Sequence, residues 1–171
     1  MTTVQRQCLL CYLGLYGGAV DGIPGPLTRQ AEADFAKKYG DFSEEALLDA
    51  IKQPENVWDS VRYFKPEEFM CKCGGKYCGG FPAQVEPALL ALADTVRAHF
   101  DAPAIVSSGL RCQTHNAHVG GVQASRHLSG KAMDFCVRGK SAQEVLAFVQ
   151  QQPQVRYAYA IDANFLHMDV L

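Results

Sequence analysis

An aspartate in the middle of an apolar strand severely restricts how a chain can fold, and this sequence carries two such residues. Asp134 sits between Met133 and Phe135 in Lys131–Val137, and Asp169 follows Met168 in Phe165–Val170. Side chains alternate along a strand, so His167 and Asp169 share one face while Leu166, Met168 and Val170 share the other. Ala132, Asp134 and Cys136 line one face of the earlier strand in the same way. A carboxylate in such a place is costly to bury unless it is paired or bound to a cation. Two strands that each offer a polar inward atom point to a shared purpose, and His127, seven residues before Asp134 in a loop, stands ready to join them.

The bulk composition narrows the setting. The chain has 171 residues, with 48% hydrophobic and 20% charged, a soluble globular balance. Sixteen basic against eighteen acidic residues give no cationic excess to suit a nucleic acid. The most apolar early segment, Cys8 to Val20, is too short and too glycine-broken to cross a bilayer. The N-terminus lacks the pattern of a secretion signal. The expectation is therefore synthesis in a (host) cytoplasm, no membrane or nucleic-acid partner, and a monomer. Seven cysteines without a signal peptide read poorly as a disulfide framework.

Along the chain, residues 1–53 read as a small helical unit. Pro26 suits the first position of a helix running to Tyr39, with Gly40 as its stop, and a second helix is predicted over Ser43–Lys52. Gln53-Pro54-Glu55-Asn56 marks a boundary, and residues 57–171 form the second domain. Residues 57–84 predict an irregular, loop-rich segment. Leu89, Leu92 and Val96 recur at helical spacing within Val85–Phe100. A strand over Ala104–Ser107, a loop over Ser108–Gly130, the strand to Val137, a helix opened by Ser141 with Glu144 in a capping box, and strands near Val155–Ile161 and Phe165–Val170 complete the reading. The class is α+β: a small antiparallel sheet with flanking helices, preceded by an all-α unit.

Two imidazoles and one carboxylate around zinc leave a fourth position for water, the arrangement of a catalytic zinc site. His127, Asp134 and His167 can supply that set, and Arg111, after a strand in Ser108-Gly-Leu-Arg111, is a cation for an oxyanion or a substrate carboxylate. On the residues alone a second reading stays open, in which both histidines are ordinary partly buried side chains and the aspartates cap turns.

Ser125, His127, Gly130, Ala132 and Asp134 spell S-x-H-x-x-G-x-A-x-D, followed by a later strand bearing His167. This resembles the zinc D-Ala-D-Ala carboxypeptidase family, with its VanX-type dipeptidases and phage L-Ala-D-Glu endopeptidases, over roughly Tyr63 to Leu171. The metal site is similar to that of hedgehog domains and lysostaphin-type enzymes. The resemblance implies His127, Asp134 and His167 as ligands of one Zn2+, with Arg111 and Ser125 at the substrate. It also implies an acid/base three residues before the last ligand, where this chain has Asn164, a side chain without a titratable proton. Asp169 and Asp162 are the available carboxylates. Asp169 is favoured as catalytic for sharing the face of His167, with orientation of that histidine as its other reading. His115 and His118 read as solvated loop residues, and His99 as structural.

Cys71, Cys73 and Cys78 lack paired C-x-x-C spacing, so buried thiols are expected there, ahead of a second metal and then a disulfide. Cys136 is expected near the metal as a packed thiol. Gly17-Gly-Ala-Val-Asp-Gly-Ile-Pro-Gly-Pro-Leu-Thr28 is similar to the turn of peptidoglycan-binding domains. A wall-binding unit beside a wall-cutting domain is the layout of a phage endolysin. The expected function is hydrolysis, by metal-activated water, of an amide bond in the peptide of bacterial peptidoglycan. The alternatives are a zinc-containing wall-binding protein without turnover and a carboxypeptidase trimming terminal D-Ala.

Overall fold

The computed structural model describes residues 1–52, 55–78 and 84–171. The expected boundary at Gln53–Pro54 and the Gly79–Gly80 end of the cysteine stretch lie outside them. The N-terminal unit holds helices α1 (Thr3–Tyr12), α2 (Pro26–Tyr39) and α3 (Glu44–Ile51). Each starts where local chemistry allows. The Thr2 hydroxyl accepts from the Gln5 amide and the Gln5 side chain accepts from the Thr2 amide. Pro26 opens α2, and Ser43 accepts from Ala46 at the start of α3. The Val20–Thr28 turn is tied by the buried Gln7 amide, which donates to Asp21, the Ile23 carbonyl and the Thr28 hydroxyl, each at 3.1 Å. Its carbonyl oxygen accepts from Gly22, whose φ of 79° needs a glycine.

The second part holds α4 (Glu55–Asp59), α5 (Pro66–Phe69), α6 (Pro87–Phe100), β1 (Ala104–Ser108), α7 (Gln113–His118), a 3-10 turn at Arg126–Ser129, β2 (Ala132–Val137), α8 (Ala142–Val149), β3 (Val155–Ala160) and β4 (Leu166–Val170). The short helices α4 and α5 break the segment expected to be loop, and α7 with the 3-10 turn breaks the expected 108–130 loop. Helices of four to six residues are too short to show a 3.6-residue repeat in sequence.

The four strands form one antiparallel sheet in the order β1-β2-β4-β3. Met133 and Phe135 of β2 stand opposite Met168 and Leu166 of β4, and all four are fully buried. They pack with Leu89, Leu92 and Val96 of α6 and Val145 and Val149 of α8 into the main core. The helices thus cover the apolar face, and the opposite face is left to polar side chains. A second cluster, built on Leu9, Leu10, Phe35, Leu47 and Ile51, also takes in Cys71, Cys78, Leu110 and Cys112 from the second part. Among the described residues no helix is long and apolar enough to cross a membrane.

Gly130 ends the 3-10 turn with φ 67°, and a Cβ there would lie 2.0 Å from the Gln84 carbonyl oxygen. Its own carbonyl accepts from the Glu86 amide at 2.9 Å. Gly130→Ala is expected to cost about 2 kcal/mol or more, combining the left-handed penalty with displaced backbone. The check is thermal unfolding, with a midpoint lowered by roughly 4–8 °C for a chain of this size.

Candidate metal centre

The sheet register brings the polar residues together. Ser108 pairs with Asp134, Asp134 with His167 and His167 with Tyr159, so one row crosses all four strands. The next row sets Ala132 opposite Asp169 and Asp169 opposite Tyr157. His127 reaches the first row from the 3-10 turn. One oxygen of Asp134, Oδ1, lies 3.2 Å from His127 Nε2 and 2.7 Å from His167 Nδ1. These three donor atoms lie within 4.8 Å of one another, on side chains that are all largely buried.

The proton positions follow from the partners. The Gly109 carbonyl, 2.6 Å from His127 Nδ1, has no proton to give, so Nδ1 carries it and Nε2 turns a lone pair inward. His167 sets Nδ1 2.7 Å from Asp134 Oδ1 and Nε2 3.5 Å from a carboxylate oxygen of Asp169, so with the proton on Nε2 its Nδ1 lone pair is free for a cation. Two imidazole nitrogens and one carboxylate oxygen thus converge on a single point, where a cation can take the place of the protons they otherwise share. Two imidazole nitrogens and a carboxylate form a donor set suited to zinc. The residues fit a divalent metal.

The second oxygen of Asp134 accepts from Arg111 Nη2, and Arg111 Nε donates to Ser108 Oγ at 2.7 Å. Burial pushes the Asp134 carboxyl up, but the two imidazoles and the Arg111 guanidinium outweigh this and hold it well below the usual carboxylate range. The magnitudes require such help. Burying an unpaired carboxylate costs several kcal/mol, whereas one buried Phe135 contributes about 1.5–3 kcal/mol.

A cavity of about 420 Å³ opens over the three donors, walled by Arg111, Ser125, Arg126, Arg156, Tyr157, Tyr159 and Asp169. A peptidase M15 family model matches residues 62–169, more than half of the chain. The chain belongs to the peptidase M15 family. It is a metallopeptidase, and the match begins within one residue of the Tyr63 at which the sequence resemblance begins. No curated protein matches the chain.

In this M15 peptidase the structure brings Arg111, Ser125, His127, Asp134, His167 and Asp169 to one cavity. Asp169 is 2% exposed and both its oxygens accept from Arg156, each at 2.7 Å. Asp162 lies on the exposed turn before β4, where it accepts from the Asn164 and Phe165 amides. Asn164 and Cys136 border a separate groove with Ile105 and Phe165, so Cys136 is away from the metal donors. It shares the Asp134 face but lies farther along β2, opposite Ile105. His115 and His118 sit on α7 outside the cavity lining, and His99 stacks on Phe148 at 3.8 Å.

Sequence reasoning missed Gly109, Arg126, Arg156, Tyr157 and Tyr159. The two tyrosines were legible as same-parity residues of one strand. Tyr159 stacks on His167 with ring centres 5.1 Å apart. Burial and the Asp134 charge raise the Tyr159 phenol, which keeps it a hydrogen-bond donor.

Proposed function

We propose that this metallopeptidase holds zinc at His127, Asp134 and His167 and hydrolyses an amide bond in the stem peptide of bacterial peptidoglycan. The observation that carries the reading is one carboxylate oxygen and two imidazole nitrogens converging at the floor of an open cavity. Bound zinc supplies a Lewis acid and lowers the pKa of water to about 7. The chain's own groups do the rest. The Gly109 carbonyl fixes the tautomer of His127, and Arg111 holds Asp134 so that Oδ1 faces the histidines. Tyr159 lines the cavity beside His167, and its phenol is a donor that an oxyanion or substrate carbonyl can use.

Three arginines, Arg111, Arg126 and Arg156, border the cavity against two carboxylates, Asp134 and Asp169. Among the described residues no acidic side chain pairs with Arg126, whose Nη2 donates to the Val170 carbonyl. That excess suits a peptide carrying free carboxylates, as stem peptides do. Ser125, at the head of the 3-10 turn and on the cavity wall, is placed to touch the same substrate. The N-terminal unit, with its knotted Asp21-Gly22 turn, serves in this reading as the wall-binding part that raises local substrate concentration. The two together suit an endolysin-like role at the cell wall.

Asp169 acts on His167 in this scheme, since Arg156 already occupies both its oxygens. Asp169→Asn is expected to weaken zinc binding about 10–100-fold, measured against a competing chelator, with activity recovering at saturating zinc. Activity that stays lost at saturating zinc instead assigns Asp169 to proton transfer.

The test of the proposal is digestion of purified sacculi with and without a chelator, with the products weighed by mass spectrometry. Chelator-sensitive release of new peptide amines is expected. Release of free D-Ala alone identifies a carboxypeptidase. Sacculus binding that survives His127→Ala, with no product from the wild-type protein, overturns the peptidase reading in favour of a wall-binding protein.

A further inference from the structure

The cysteines read as buried thiols gain a fourth member in the fold. Cys71, Cys73 and Cys78 come from the turn-rich segment after α5, and Cys112 comes from the start of α7, 34 residues beyond Cys78. Their four sulfurs lie within 4.8 Å of one another. We propose that Cys71, Cys73, Cys78 and Cys112 form a second, structural zinc site that braces the catalytic loop.

Several independent features favour a metal over packed thiols. A tetrahedral zinc–thiolate site has bonds of about 2.3 Å and therefore sulfur–sulfur edges of about 3.8 Å, which this cluster accommodates around a single ion. Four thiolates with no open position make a closed, structural site, unlike the open donor set of the cavity. Backbone amides are aimed at the sulfurs: Cys112 donates to Cys71 Sγ at 3.3 Å, and His115 donates to Cys112 Sγ at 3.5 Å. Amide donors stabilise thiolate charge. The turn itself needs glycines, since Gly74 and Gly75 have φ of 63° and 79°. Cys73 Sγ and Cys78 Sγ are 3.3 Å apart, well beyond a disulfide bond of about 2.05 Å. Cys8 is a neighbour outside the set, with its sulfur 3.4 Å from the Thr114 hydroxyl.

The position gives the site a purpose. Between β1 and Cys112 run the Gly109 carbonyl that holds His127 and the Arg111 guanidinium that holds Asp134. That stretch is also pinned by Leu110 donating to the Phe69 carbonyl and Arg111 donating to the His127 carbonyl. A metal gripping Cys112 and the Cys71–Cys78 turn locks the far end of the same strip. Metal binding there adds its free energy to the folding of this loop.

The test loads the full-length protein with cobalt and reads absorbance. A thiolate-to-cobalt charge-transfer band in the near ultraviolet is expected in the wild type. The band should persist in His167→Ala and vanish in Cys78→Ser. Because only sulfur ligands give that band, its result is separate from whether the histidine site binds metal or turns over substrate. On zinc-loaded wild type, a mercurial that titrates thiols should release one zinc equivalent into a chromogenic chelator, a readout that needs no folded variant. Absence of the band and of mercurial-released zinc in the wild type overturns the proposal, as does a Cys73–Cys78 disulfide in the unreduced protein.

Discussion

Replacing His127 by alanine is expected to lower peptide release from sacculi by on the order of 10³-fold or more, and stripping the wild-type metal should do the same. The two treatments differ in rescue. Added zinc should restore the stripped wild type and leave His127→Ala at background, because the variant lacks an inward Nε2 lone pair. A stability signature accompanies the loss. A cation at this point joins Asp134 Oδ1 to imidazole nitrogens that lie 3.2 Å and 2.7 Å from it inside a buried row. At a metal concentration a hundredfold above its dissociation constant, binding adds about 2.7 kcal/mol to folding. That corresponds to a midpoint shift of roughly 5–10 °C between zinc and chelator for the wild type, and little shift for His127→Ala at this site. Equal midpoints in zinc and chelator for the wild type, together with chelator-insensitive release, would show that the three side chains hold no metal.

Much of this centre was legible because strands encode it in a period of two. Asp134 and His167 each stand among large apolar residues of the opposite parity, and that alternation alone predicted a polar face on each strand. The Ser141–Glu144 capping box and Pro26 likewise fixed helix starts that the structure shows within a residue. What stayed hidden depends on register and on long-range closure. Arg156 meets Asp169 across β3 and β4, where the pairing slips between Val155 and Tyr157, and no local pattern announces such a bulge. The helix α7 is six residues long and capped by a thiol, Cys112, in place of the usual hydroxyl or carboxylate cap. The same residue completes the cysteine cluster from a distant part of the chain. Spacing rules built on neighbouring pairs do not reach that far.

Arg111 is expected to have the second largest effect, because it stands between the proposed metal ligands and the open cavity. Its backbone amide donates to the His127 carbonyl at 3.0 Å, its Nε to Ser108, and one Nη to Asp134, while the rest of the guanidinium borders the cavity. Arg111→Ala should lower kcat/KM about 10²–10³-fold, the scale of removing a charged donor from a reaction centre. Arg111→Lys keeps the charge but not the planar fork, so it cannot serve Ser108, Asp134 and a substrate carboxylate together, and should recover only a small part of the loss. Two roles are folded into that number, and substrate chemistry separates them. If Arg111 binds a stem-peptide carboxylate, a peptide amidated at that position should be a poorer substrate for the wild type. Arg111→Ala should then treat the amidated and free peptides nearly alike, with zinc content unchanged. If Arg111 only holds Asp134, zinc affinity should fall and the ratio between the two peptides should stay at its wild-type value. The coupling between substitution and amidation, not the size of either loss alone, decides which atom the guanidinium serves.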